Sequence, residues 1–158
     1  MNRLSVVALS CLLAAAPAAW AQAASEPAAK PAIKNEVAEK AAKEAGAVVT
    51  DSGLVFRSLR EGKGPVPAAT DIVKVHYRGT FPDGKEFDSS YKRNEPTEFP
   101  LNRVIKCWTE GVQRIKVGGQ AKLTCPPAIA YGERGAGGVI PPNATLQFEV
   151  ELLSIKGR

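Results

Sequence analysis

Along "DIVKVHYRGTF" the chain alternates apolar and polar positions, with Val73, Val75 and Tyr77 on one side and Lys74, His76 and Arg78 on the other. A two-residue period predicts a strand with one face buried and one in solvent. "ATLQFEVELLSI" repeats the pattern near the end of the chain, placing Leu146, Phe148, Val150 and Leu152 inward and Gln147, Glu149 and Glu151 outward. "GLVFRSLREGKG" reads as a further strand ending in a glycine-rich turn, and "AKLTC" as another, with Leu123 and Cys125 on one face. Asp83-Gly84 in "PDGKEFD" is a turn signal leading into a short extended piece. One segment changes period. In "VIKCWTEGVQRIKVGG", Trp108, Val112 and Ile115 fall at i, i+4 and i+7, one apolar face of a short helix that Gly118-Gly119 would stop. "YKRNEPTEFPL" is expected to be a loop, because its prolines restrict helix, and so is "PPAIAYGERGAGGVIPP". The sum is an antiparallel α+β domain, several strands around one short helix. Its concave face would carry Tyr77, Phe148 and the Trp108 side of the helix.

The N-terminal third breaks this pattern. "MNRLSVVALSCLLAAAPAAWAQA" has Arg3 in a positive n-region, an apolar run from Leu4 to Ala16, and small-residue cleavage patterns at Ala19-Trp20-Ala21 and Ala21-Gln22-Ala23. This predicts a cleaved secretory signal peptide over residues 1–23 and a periplasmic mature protein. The run is shorter than the roughly 20 residues a bilayer span needs, and no later segment is a candidate span. Lipid anchoring at Cys11 is the weaker alternative, since Ala8 stands where a lipobox prefers Leu. Residues 24–50 are rich in Ala, Lys and Glu, and Ile33 to Ala45 holds strong helix formers. Alanines bury little, so this is expected to be a solvated helical arm or linker, with a small dimerisation helix as the alternative. The body runs over residues 51–158.

Composition narrows the chemistry. With 44% hydrophobic and 23% charged residues the body should fold. The net charge of +5 comes from scattered Lys and Arg interleaved with acids, which argues against nucleic acid. Signal cleavage leaves Cys107 and Cys125, and an even count in an exported protein favours a disulfide. They do not form the Cys-x-x-Cys of a dithiol enzyme, which leaves a thiol oxidoreductase as a poor alternative. One His and two Cys lack metal-ligand spacing, so neither a metal nor a cofactor is expected. His76, Asp88 and Ser89 come without a nucleophile-elbow motif, and His76 alternates away from Tyr77. Asp88 has no evident second carboxylate for glycoside chemistry. What remains is a set of aromatic residues where a pocket would form, with few polar groups. One reaction needs little more, rotation about an X–Pro amide. Its barrier of about 18–20 kcal/mol arises from resonance, and the planar amide is more dipolar than the twisted one. A water-poor pocket disfavours the planar form, and lowering the barrier by about 4 kcal/mol speeds rotation on the order of 10³-fold.

The motifs "VHYRGTFPDGKEFDSS", "VIKCWTEGVQRIKVGGQAKL" and "AYGERGAGGVIPPNATLQFEVELL" resemble the FK506-binding-protein family of peptidyl-prolyl cis-trans isomerases, in order from about Gly53 to Lys156. Its exported bacterial members, of the macrophage-infectivity-potentiator type, are the most similar. The resemblance implies five or six antiparallel strands wrapped around a short helix. It implies Trp108 as the floor of a proline pocket, with Tyr77, Phe87 and Phe148 as walls and Val104, Ile105 and Ile140 binding substrate beside them. The Ile105 N–H and the Tyr131 hydroxyl would meet carbonyls of a substrate or inhibitor. Asp88 would orient from the rim, positioned by Arg93. Implied partners are proline-containing unfolded or partly folded exported proteins, and FK506- or rapamycin-like macrolides as inhibitors. Two departures matter. Thr97 stands where relatives often carry an aromatic, and Cys107 where they commonly carry Gly. The competing reading is a non-catalytic holdase with a vestigial pocket.

Overall fold

The computed structural model describes residues 35–157. The expected signal peptide, the alternative at Cys11 and the first residues of the arm lie outside that range. Strand β3 (Ile72–Thr80) is the organising element, because its alternation comes out as expected: Val73, Val75 and Tyr77 are buried. One edge of β3 pairs antiparallel with β7 (Leu146–Ile155), which continues through β6 (Gln120–Cys125) to β2 (Val55–Arg60) and β1 (Ala47–Val49). The other edge is shared. β4 (Glu86–Ser89) takes its C-terminal half and β5 (Thr97–Pro100) its N-terminal half. The sheet therefore holds seven strands rather than five or six.

Both additional strands come from segments whose local sequence hid them. "TEFP" ends in Pro100, which cannot donate to a ladder, but Thr97–Pro100 lies at a sheet edge where proline is tolerated. β1 is only three residues long and pairs with β2.

Helix α2 (Lys106–Val112) packs on the concave face and buries Cys107, Trp108, Gly111 and Val112. It begins where expected and ends earlier. Arg114 N–H bonds to Gly111 and Ile115 N–H to Val112, three residues back, so the final turn tightens. Ile115 stays buried, continuing the apolar face beyond the α-helix. Gly111 is dictated by approach: a Cβ there would stand 2.8 Å from the Leu123 methyls. Cys107 and Cys125 form the expected disulfide, with their Cα atoms 5.8 Å apart, and join α2 to β6.

The arm is not a solvated tether within the described residues. Helix α1 (Glu36–Ala42) is capped by the Asn35 side chain, which accepts from Val37 N–H. Ala38 and Ala41 are buried against Val55. Phe56, the next residue, packs on the main core. Neighbouring strand residues face opposite ways, so α1 covers the convex face of the sheet while α2 fills the concave one. Just past α1, Glu44 pairs with Arg57 of β2 and Lys122 of β6, at 2.7 and 3.0 Å. The alanines bury little area each, but their small size lets the helix backbone approach the sheet.

Candidate active site

The concave face leaves a cavity of about 350 Å³ between α2, the strands and two loops. Its floor is Trp108, only 4% exposed on the first turns of α2. Three rings stand on that floor nearly at right angles: Tyr77 (5.2 Å, 82°), Phe99 (5.4 Å, 81°) and Phe148 (5.4 Å, 90°). Phe87 meets Phe148 edge-on and extends the wall. The strand pattern explains the convergence. Tyr77 on β3 and Phe148 on β7 are both inward positions, and the turn Leu101–Arg103 brings Val104 and Ile105 to the cavity just before α2. Gly79 makes room for the wall, since a Cβ there would lie 2.6 Å from the Phe87 ring and 3.0 Å from Phe148. The Trp108 indole N–H is buried with no partner among the described residues. A buried unpaired donor costs about 1–3 kcal/mol, and such exceptions call for a functional account.

The polar side of the cavity is one coupled unit. The Tyr77 hydroxyl donates to Asp88 Oδ2 at 2.6 Å, and Arg93 donates to Asp88 Oδ1 at 2.6 Å and to the Tyr77 hydroxyl oxygen at 3.0 Å. The guanidinium also lies 5.7 Å from the Tyr77 ring centre. Burial pushes the Asp88 carboxyl up, but the Tyr77 hydroxyl and Arg93 together outweigh it and hold the carboxyl below the usual range. Burial, then the bond to Asp88, raises the Tyr77 phenol. Bonds to Tyr77 and Asp88 raise the Arg93 guanidinium further. At neutral pH the unit is thus a fixed carboxylate whose charge is matched, and it is poorly suited to removing a proton.

Most of the expected site residues meet here: Tyr77, Phe87, Asp88, Val104, Ile105, Trp108, Tyr131 and Phe148 line the cavity. Arg93 is set back and touches it through Asp88 and Tyr77. Ile140 is buried in the core, bridged to Ala136 across its loop, and is not on the cavity wall. Phe99 and Arg103 line the cavity although no sequence motif singled them out. A signal for Phe99 exists in its residue type, an aromatic two residues after Thr97 and so on the same face of the strand.

The arrangement also rules on other chemistries. His76 Nδ1 is 2.9 Å from Ser90 Oγ, but Ser90 is fully buried and its hydroxyl is also bonded to the Tyr77 backbone. His76 stacks on Tyr91 on the outer face, and Asp88 is engaged elsewhere. Among the described residues, Ser90 is therefore not presented to a substrate as a nucleophile. Both cysteines of the disulfide are 0% exposed, closed to thiol exchange. No group of acidic, His and Cys side chains among the described residues could hold a metal ion, and no described helix is long and apolar enough to cross a membrane.

Comparisons with known proteins bear on the family and the fold. The profile of the FKBP-type peptidyl-prolyl cis-trans isomerase family matches residues 64–153. The FKBP-type peptidyl-prolyl cis-trans isomerase FkpA of Escherichia coli is 53% identical over 117 residues, 74% of this chain and 43% of that protein. FK506-binding protein 1 of Dictyostelium discoideum is 53% identical over 106 residues, 66% of this chain and 99% of that protein. The crystal structure of FkpA from Escherichia coli superposes with a TM-score of 0.74 at 53% identity, over 77% of this chain and 56% of that one. The chain thus spans less than half the length of the curated bacterial FkpA it matches.

Proposed function

This chain belongs to the FKBP-type peptidyl-prolyl cis-trans isomerase family, and from that premise we propose that it catalyses rotation about X–Pro amides in exported proteins. The observation that carries the reading is the box itself, three rings perpendicular to the Trp108 indole around a cavity of about 350 Å³, a size for a proline ring and its flanks. The ring sits on Trp108 between Tyr77, Phe87, Phe99 and Phe148, and the X–Pro amide leaves water. Its planar, more dipolar form loses more solvation than the twisted form, so the barrier falls.

The polar groups orient rather than react. The Ile105 N–H, bonded to no backbone carbonyl among the described residues, holds one substrate carbonyl, and the half-exposed Tyr131 hydroxyl holds another. Val104 flanks the Ile105 contact. Asp88, fixed by Arg93, sets the Tyr77 ring as a wall and aims a carboxylate at the twisting amide. Ile140 supports the loop that presents Tyr131. FK506- and rapamycin-like macrolides, which present a similar ring and carbonyls, compete for the box. Residues 1–23 act as a cleaved signal peptide, 24–50 as the arm and 51–158 as the catalytic domain, working in the periplasm.

Isomerisation of an Xaa-Pro peptide by the mature chain is the test. Acceleration on the order of 10³-fold over the spontaneous rate, abolished by FK506, is expected. No acceleration would overturn the reading, and protection of a proline-free unfolded client would then favour a holdase.

A further inference from the structure

One cation on the cavity wall has no task in the isomerase mechanism. Arg103 ends the turn Leu101–Arg103, directly before Val104 and Ile105, and it lines the cavity. Its side chain is exposed and makes no hydrogen bond or ion pair among the described residues. The other charges of the site differ. Asp88 is matched by Arg93 at 2.6 Å, leaving that unit without net charge. Lys106, the residue after Ile105, is also exposed and without an ion pair among the described residues. Glu133 and Arg134, in the turn after Tyr131, offset each other in formal charge. The rim next to Ile105 is therefore positive and uncompensated.

A peptide with its proline ring on Trp108 and a carbonyl on the Ile105 N–H passes this rim with the residues flanking the proline. A guanidinium offers a planar fork of donors that fits a carboxylate with two parallel bonds. A free fork beside the substrate track discriminates between flanking side chains, and the aromatic box, which sees only the ring, cannot do so. We propose that Arg103 is a specificity-determining residue that favours substrates with Asp or Glu next to the proline. The proposal rests on the isomerase reading and adds to it the charge class of the preferred substrate. Because Arg103 is solvent-exposed, the preference is modest, about two- to fivefold, and it weakens with salt.

Four peptides test it on the mature chain: Glu or Gln immediately before the proline, and Glu or Gln immediately after. The quantity read is the Glu/Gln ratio of kcat/KM for each position, at low and at physiological ionic strength. A ratio of about two to five at one position or both is expected at low salt. It should shrink at higher salt, fall to about one in Arg103→Gln and largely survive in Arg103→Lys. A ratio of one at both positions in the unsubstituted chain, or an unchanged ratio in Arg103→Gln, overturns the proposal. Acceleration of all four peptides with no Glu preference defeats this inference alone. No acceleration of any peptide defeats the isomerase reading and this inference with it.

Discussion

Helices α1 and α2 are each seven residues long and lie on opposite faces of one sheet, but they are held by opposite means. α2 has no side-chain cap. It is fixed by four buried residues and by a covalent bridge to β6. α1 buries two alanines and is fixed by polar groups at both ends, the Asn35 cap and the Glu44 pairs to Arg57 and Lys122. The helix that carries the pocket floor is anchored by contacts that water and pH do not loosen. The helix on the far side is anchored by contacts that they do. Substitutions that weaken α2 should cost both stability and activity, and those that weaken α1 should cost stability alone.

The largest break in that contrast is Trp108→Ala. Removing a buried indole should destabilise the fold by about 3–5 kcal/mol. Trp108 also meets three pocket rings, so Xaa-Pro isomerisation should disappear even where circular dichroism still shows a folded chain. Denaturant titration and the peptide assay read the two effects separately. A folded variant with native kcat/KM would remove Trp108 from the site.

Next comes the bridge. The disulfide closes a loop with a sequence separation of 18, worth about 3 kcal/mol in the chain-entropy account. Cys107→Ala with Cys125→Ala should lower the urea midpoint accordingly. The double variant is chosen so that no single thiol is left behind. Because neither cysteine lines the cavity, the expected outcome is reduced stability with residual activity rather than an inactive chain. An unchanged midpoint would mean that burial alone holds α2.

This ordering tracks what could be read from sequence. Trp108, Val112 and Ile115 announce α2 because large apolar side chains repeat at helical spacing, and Val73, Val75 and Tyr77 announce β3 by alternation. Burial leaves a mark in residue type. α1 and β5 left none. Ala38 and Ala41 look like solvated helix, since alanine does not declare which neighbour it meets. The partner of both, Val55, lies 14 or more positions along the chain. Phe99 was hidden by Pro100, and its strand exists only because β3 has an edge left over beyond β4. Long-range pairing of small or polar residues is decided by the tertiary structure. The site was legible for the same reason as α2, because its walls are aromatic. The free Arg103 was not, because an exposed cation looks the same whether or not it faces a cavity.

On the α1 side, Asn35→Ala removes the acceptor of Val37 N–H and should cost about 1 kcal/mol. Hydrogen exchange should accelerate across residues 36–42, with kcat/KM unchanged because Asn35 does not line the cavity. A fall in kcat/KM would show that the two faces are coupled.

The finest discrimination comes from acid. Glu44 and Asp88 are the matching carboxylates of the two faces, each held by two partners. The bond from Lys122, outweighing burial, and then Arg57 hold the Glu44 carboxyl below its ordinary value of 4.5. Burial pushes the Asp88 carboxyl up, but Tyr77 and Arg93 carry it below its ordinary 3.8. A depressed carboxyl stabilises the fold fully above the unfolded value and loses that stabilisation as pH falls through the folded value. Neither group should therefore alter stability between neutrality and the ordinary carboxylate range, and both should weaken it below. Each contributes little, about 0.2–1 kcal/mol, because the pairs are partly solvated. The two faces differ in what acid does to activity. Glu44→Gln should flatten the acid limb of stability and leave the acid limb of kcat/KM in place. Asp88→Asn should change the acid limb of kcat/KM, because protonation of Asp88 releases Arg93 and frees the Tyr77 wall. If Glu44→Gln instead shifted the acid limb of activity, the cap and ion pairs of α1 would be controlling the pocket through the sheet, and the division between the two faces would fail.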